Sequence, residues 1–101
     1  MIIEKKDSNL IFDINLKNLA INYQYLKQIS SSAEVAVSVK ANSYGLGVIE
    51  TCTILIKNGC KSFFVATSEE GIFLRKNFSN INIYVLNGIN DLETYLKVLK
   101  Y

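Results

Sequence analysis

The sequence has no histidine and only two cysteines. Zinc sites are built mainly from cysteine and histidine side chains at characteristic spacings, and this composition supplies no such set. Cys52 and Cys60 lie within or at the end of one segment of apolar periodicity, where cysteine usually acts as a small hydrophobe. We therefore expect no metal site, and we expect the reducing environment of the cytosol, which predicts a cytoplasmic protein.

Clusters of one charge and long apolar runs are also missing. The 11 basic and 9 acidic residues are dispersed, so no basic patch is available to neutralise the phosphates of a nucleic acid. No stretch reaches the roughly 18 apolar residues of a membrane span, and the opening MIIEKKDSN is not followed by the apolar core of a signal peptide. We expect a soluble protein that binds neither nucleic acid nor membrane.

The chain also lacks proline and any linker rich in glycine and serine, so nothing marks an internal domain boundary. At 101 residues, 50% of them apolar, the chain can bury one small core. We therefore treat residues 1–101 as one unit.

Runs rich in β-branched and aromatic residues predict strands near residue 12 and at residues 34–40, 62–67 and 81–87. The last three runs are almost continuously apolar, which is typical of parallel strands covered on both faces. Two amphipathic helices are predicted between strands. Their apolar faces are Leu16, Leu19, Ala20, Tyr23 and Leu26 in the first, and Val48, Ile49, Cys52, Leu55 and Ile56 in the second.

Two further helix starts are marked by a glutamate three residues after a capping residue, at Thr67 with Glu70 and at Asn90 with Glu93. The resulting alternation of strands and helices predicts an α/β fold of parallel βα repeats. Such repeats build both open doubly wound sheets and (β/α)₈ barrels, and the repeats alone do not separate the two. A complete barrel needs about 250 residues, so this chain could form only about its first half.

Residues 35–47, VAVSVKANSYGLG, run from an apolar strand into Lys40 and then into a loop. Active sites of parallel α/β folds assemble at the carboxyl ends of strands. A lysine held there against apolar residues is partly desolvated, which favours the neutral amine, and such an amine can attack the aldehyde of pyridoxal phosphate. By default, however, a lysine after an apolar run keeps its charge in water, and Tyr44, Gly45 and Gly47 would be ordinary loop residues.

The segment VKANSYGLG resembles, almost residue for residue, the cofactor-lysine signature of alanine racemases. FDINLKNLAINYQYLK is similar to the first strand and helix of that family, FFVATSEEGIFLRK to its third strand and helix, and IYVLNGI to its fourth strand. Other pyridoxal-phosphate barrels, such as amino-acid decarboxylases, keep a strand lysine but not the tyrosine and paired glycines. The resemblance covers nearly all of the chain and implies a partial (β/α)₈ barrel, about the first half.

The resemblance also implies roles for two residues. Lys40 matches the lysine that holds pyridoxal phosphate covalently and acts as one of the two catalytic bases, and Tyr44 matches a tyrosine that contacts the cofactor phosphate. The implied reaction interconverts L-alanine and D-alanine for peptidoglycan synthesis, in an enzyme that is a homodimer at full length. Leu46 departs from the histidine that many members carry between the two glycines, without affecting a catalytic step.

Other parts of the family's site have no counterpart in the chain. The second base is a tyrosine in a C-terminal β domain of the partner subunit, and that domain is expected to be absent here. Tyr84, Tyr95 and Tyr101 match no such motif and are expected to be a strand residue and two helix-face residues. A second interpretation is therefore a non-catalytic remnant, or half of a split gene that acts only with a complementary C-terminal chain. A preference for alanine over serine is not fixed by these residues.

Overall fold

The computed structural model describes residues 9–101, in which helices alternate with the strands of one parallel sheet. Its elements in chain order are α1 (Leu16–Ile29), β1 (Val37–Ser38), α2 (Lys40–Tyr44), α3 (Val48–Lys57), β2 (Ser62–Val65), α4 (Ser68–Asn77), β3 (Asn82–Val85) and α5 (Leu92–Val98). The predicted parallel α/β fold is confirmed.

The sheet has the strand order β1, β2, β3, with Val37 opposite Phe63 and Phe63 opposite Ile83. In the central strand β2, Ser62, Phe63 and Val65 are buried and Phe64 is half-buried, whereas β3 alternates between half-buried and exposed residues. The prediction of two covered faces is therefore wrong for β3. The reason is that Ile83 and Val85 face α4, whereas Tyr84 lies on the opposite face and is 48% exposed.

Within residues 9–101, the helices cover only one face of the sheet. Gly71 of α4 lies so close to β3 that an added Cβ atom would be 3.5 Å from the side-chain methyl groups of Ile83 and Val85. The opposite face carries Ser38, Phe64 and Tyr84, which lie opposite one another in the strand register. The rings of Phe64 and Tyr84 stack there with centroids 5.0 Å apart.

Helices α1 and α3 pack against each other through the apolar faces predicted from their periodicity. Tyr23 is the buried residue of α1, and Cys52 and Leu55 are buried on α3, whereas Leu26, predicted on the apolar face of α1, is 48% exposed. The Thr67 and Glu70 capping box is present at α4. Helix α5 is capped by Asp91 rather than Asn90, since its carboxylate accepts a hydrogen bond from Thr94 N–H at 2.8 Å.

Residues 10–14 are not a strand, which corrects the prediction of one near residue 12. A strand requires a neighbour for its backbone hydrogen bonds, and within residues 9–101 the sheet contains only β1, β2 and β3. The second predicted strand is also shorter than expected and is limited to Val37–Ser38. Both runs have strand-like composition, but composition does not supply a pairing partner.

Cys52 and Cys60 are both free and buried, in agreement with their predicted role as small hydrophobes. Burial, with a smaller contribution from nearby Cys60, raises the pKa of the Cys52 thiol to about 12. Within residues 9–101, no three side chains of the kinds that bind metals are grouped closely enough to hold an ion. No helix in the same range is long and apolar enough to cross a membrane.

The uncovered sheet face predicts association of the isolated 101-residue chain. Tyr84 and Leu86 are 48% and 54% exposed beside a sheet edge that has no partner strand among residues 9–101, and such surfaces pair with other molecules. We expect size-exclusion chromatography with light scattering to show oligomers, and Tyr84→Ser combined with Leu86→Ser to reduce their fraction. A monodisperse monomer that unfolds in one sharp transition would show that the uncovered sheet face does not cause the chain to associate.

Candidate active site

The chain leaves β1 through a left-handed turn that carries Lys40 at its start. Val39 N–H still pairs with the carbonyl of Phe64 in β2, at 2.8 Å. From there the backbone of Ala41 to Tyr44 has φ between 51° and 56°, which places four consecutive non-glycine residues in the left-handed region. Each such residue costs about 1–2 kcal/mol relative to a right-handed turn, so the surrounding structure must hold this conformation in place.

Part of that support comes from within the turn and from α3. Ser43 N–H donates to the carbonyl of Val39 at 3.0 Å, and Gly45 N–H donates to that of Ala41 at 3.1 Å. The side-chain oxygen of Asn42 accepts a hydrogen bond from Val48 N–H at 2.9 Å, which caps the first turn of α3. Gly45 ends the turn with a φ of 86°, a left-handed conformation that glycine adopts without steric cost. The left-handed residues before it were not predicted.

The turn brings the two predicted site residues together. Lys40 Nζ lies 6.0 Å from the centroid of the Tyr44 ring. The Tyr44 hydroxyl donates a hydrogen bond to Ser38 Oγ at 3.1 Å, which anchors the ring beside the end of β1. Lys40 is half-buried and Tyr44 is 63% exposed, so both functional groups are accessible to a small molecule at this edge of the sheet.

Glu70 of α4 is a neighbour of Lys40 that the sequence indicated only as a helix-start residue. Its carboxylate accepts hydrogen bonds from the N–H groups of Ala41, Ala66 and Thr67. Partial burial alone would raise the pKa of Glu70, but these hydrogen bonds and the positive charge of Lys40 outweigh it and lower the pKa below the usual value of 4.5. Glu70 is therefore a carboxylate at neutral pH.

The three tyrosines not assigned to the site lie elsewhere on the elements. Tyr84 lies on β3, and Tyr95 lies on α5. Tyr101 follows α5, with its ring centroid 5.3 Å from Lys76 Nζ. The expectation that Tyr84 is a strand residue and Tyr95 a helix residue is confirmed, whereas Tyr101 lies just beyond its helix rather than on it.

Residues 14–101 match a family model described as the N-terminal domain of alanine racemase. The chain belongs to the alanine racemase family. It is 53% identical over 90 residues to the alanine racemase of Rickettsia prowazekii (strain Madrid E) and 50% identical over 90 residues to that of Rickettsia typhi (strain ATCC VR-144 / Wilmington). Each match covers 88% of this chain but 22% of the relative, so the chain spans about a fifth of the length of these alanine racemases.

Solved alanine racemase structures have the same arrangement of elements. The Bartonella henselae enzyme, described with covalently bound pyridoxal phosphate, superposes with a TM-score of 0.77 at 34% identity, over 82% of this chain and 23% of that one. The E. faecalis alanine racemase gives a TM-score of 0.78 at 29% identity, over 87% and 24% of the two chains. The βα repeats of this chain are thus a partial (β/α)₈ barrel, as the resemblance predicted.

Proposed function

We propose that this chain is the N-terminal part of a pyridoxal-phosphate-dependent alanine racemase that interconverts L-alanine and D-alanine for peptidoglycan synthesis. The observation that carries the proposal is the left-handed turn, which places the Lys40 amine beside the Tyr44 ring at the carboxyl end of β1. Membership of the family supports it, as does the covalently bound pyridoxal phosphate of the Bartonella henselae relative.

The chemistry of these two side chains fits pyridoxal phosphate. The cofactor carries an aldehyde and a phosphate-bearing arm on neighbouring ring carbons, so it can meet an amine and a hydroxyl held by one turn. Lys40 would bind the aldehyde end through Nζ. Tyr44 would turn its hydroxyl hydrogen from Ser38 Oγ towards the phosphate, a charge-assisted hydrogen bond that is stronger than the one it replaces.

Lys40 has a second role in the proposed reaction. When bound, pyridoxal phosphate supplies an electron-accepting ring that stabilises negative charge at the α-carbon of an amino acid. Lys40 Nζ would remove and return the α-proton on one face of that carbon. Inversion needs a base on the other face too, which we assign to the remaining length of the enzyme and to the partner subunit of a homodimer.

A second candidate follows from the 22% share of the relatives that the chain spans. The chain would then be a non-catalytic remnant, or half of a split gene that acts only with a complementary C-terminal chain. The DNA just downstream of the codon for Tyr101 separates these possibilities, because a continuing reading frame would encode the remaining strands and the C-terminal domain.

Reductive labelling tests the assignment of Lys40. The chain is mixed with pyridoxal phosphate, reduced with borohydride and mapped by peptide mass spectrometry. We expect the pyridoxyl group on Lys40, because no other lysine within residues 9–101 follows a strand and lies beside a tyrosine that could bind the phosphate. Tyr44→Phe should weaken cofactor binding about tenfold by removing one hydrogen bond to a charged group. Lys57→Ala, at an exposed helix end, is the matched control and should label like the parent chain. A label spread evenly over surface lysines would refute the assignment.

A further inference from the structure

The carboxylate of Glu70 connects the ends of two neighbouring strands. Its Oε1 accepts a hydrogen bond from Ala41 N–H at 3.0 Å, just after Lys40, and its Oε2 accepts one from Ala66 N–H at 2.7 Å, just after β2. The bond to Thr67 N–H, which completes the capping box, is the longest of the three at 3.4 Å. The shorter bonds thus go to the strand ends, and capping α4 does not account for them.

Ala41 N–H depends on this carboxylate. The hydrogen bonds within the left-handed turn begin with Ser43 N–H and continue with Gly45 N–H, so they leave the first N–H group of the turn unused. Glu70 is the acceptor for that group. Because the turn costs conformational energy at four consecutive residues, an external anchor at its first peptide selects this conformation over right-handed alternatives.

We propose that Glu70 is a positioning residue. Its carboxylate links the left-handed turn after Lys40 to the junction of β2 and α4 through the hydrogen bonds to Ala41 and Ala66, a connection called the Glu70 tie below. The tie fixes the direction of the Lys40 side chain. The proposal rests on the proposed function in one respect, the role of Lys40 as the cofactor lysine. The tie itself is a property of the chain without any ligand. Two measurements can therefore separate the two claims.

The first measurement is amide hydrogen exchange, resolved to single residues by mass spectrometry, on the 101-residue chain. This readout does not require a monodisperse sample. In Glu70→Ala we expect Ala41 N–H to exchange at least about tenfold faster than in the parent chain, since a hydrogen bond to a charged acceptor is lost. Glu70→Gln keeps a single carbonyl oxygen as acceptor, so it should fall between the parent and Glu70→Ala.

Two control variants distinguish loss of the Glu70 hydrogen bond to Ala41 from weakening of α4 and from loss of a negative charge. Thr67→Ala removes the other half of the capping box and weakens α4, but it leaves the Glu70 bond to Ala41 in place. Glu69→Ala removes the same charge from the same helical turn, at an exposed residue whose side chain makes no hydrogen bond within residues 9–101. Both variants should keep the protection of Ala41 N–H.

The second measurement is the share of the borohydride-fixed pyridoxyl label that falls on Lys40. Loss of positioning predicts that Glu70→Ala spreads the label over other lysines. A role of Glu70 that only restrains the reactivity of Lys40 predicts the opposite, a larger share of the label on Lys40 once the carboxylate is removed. A larger Lys40 share in Glu70→Ala would therefore overturn the proposal.

Two other results would also overturn it: equal exchange of Ala41 N–H in the parent chain and Glu70→Ala, or the same loss of protection in Thr67→Ala as in Glu70→Ala. If Glu70→Ala unfolds the whole chain, the comparison of Glu70→Gln with Thr67→Ala decides by the same criteria. If Ala41 protection depends on Glu70 but no variant labels Lys40, the tie stands and the assignment of the cofactor lysine fails.

Discussion

A strain that requires D-alanine should grow without it when it expresses this chain together with the C-terminal portion of the Rickettsia prowazekii alanine racemase, and should not grow when it expresses the chain alone. In the proposed mechanism the reason is geometric, since inversion needs bases on both faces of the α-carbon and Lys40 would reach only one of them. General acid–base groups contribute about 10²–10⁴-fold each, and the absence of one, with the positioning residues around it, leaves activity near the cofactor's own background. Growth is the measurement.

Lys40→Ala should abolish the rescue by the pair, whereas Lys57→Ala should preserve it. In vitro, the chain with pyridoxal phosphate should exchange the α-proton of alanine faster than it racemises alanine, because exchange requires a base on one face only. Rescue by the chain alone would contradict this account of the missing base. Rescue by the pair that survives Lys40→Ala would contradict the role of Lys40.

Phe63→Ala should have the largest effect on stability of any single change in the sheet. Phe63 is fully buried at the centre of β2, between Val37 and Ile83 of the neighbouring strands. Truncation of a buried phenylalanine costs about 3–5 kcal/mol, which is a large part of the 5–15 kcal/mol that stabilises a typical protein. Urea unfolding followed by circular dichroism should show a much lower midpoint or a chain that is unfolded in buffer.

Phe64→Ala is the matched control, because the same side chain is removed from the next residue on the uncovered face. Phe64 is only half-buried and contacts the exposed ring of Tyr84, so the loss in the free energy of unfolding should be clearly smaller. Equal losses in the two variants would show that the helices do not cover the Phe63 face more completely than the opposite face.

The βα order of residues 16–98 could be predicted because each signal is local. The helix faces around Cys52 and Leu55 follow from apolar periodicity, and the start of α4 follows from Thr67 and Glu70. The prediction of a strand near residue 12 was wrong because a strand needs a neighbouring strand to pair with. The composition of the segment does not indicate whether such a neighbour is present.

The residues of the candidate site remain a prediction, and the geometry that brings them together could not be predicted from the sequence. Lys40 and Tyr44 were identified from the motif, yet nothing in ANSY indicates four left-handed residues, since alanine and serine favour other conformations. The contact of Glu70 with Ala41 joins residues 29 positions apart, so no local pattern contains it. Its only signal was the spacing from Thr67, which predicts a helix cap.

The most direct test of the central claim is the mass of the peptide that contains Lys40, from the co-expressed pair purified without added cofactor and reduced with borohydride. The account predicts one pyridoxyl group on Lys40 in a preparation that racemises alanine. An active preparation in which Lys40 is unmodified, or in which the pyridoxyl group lies on another lysine, would contradict it.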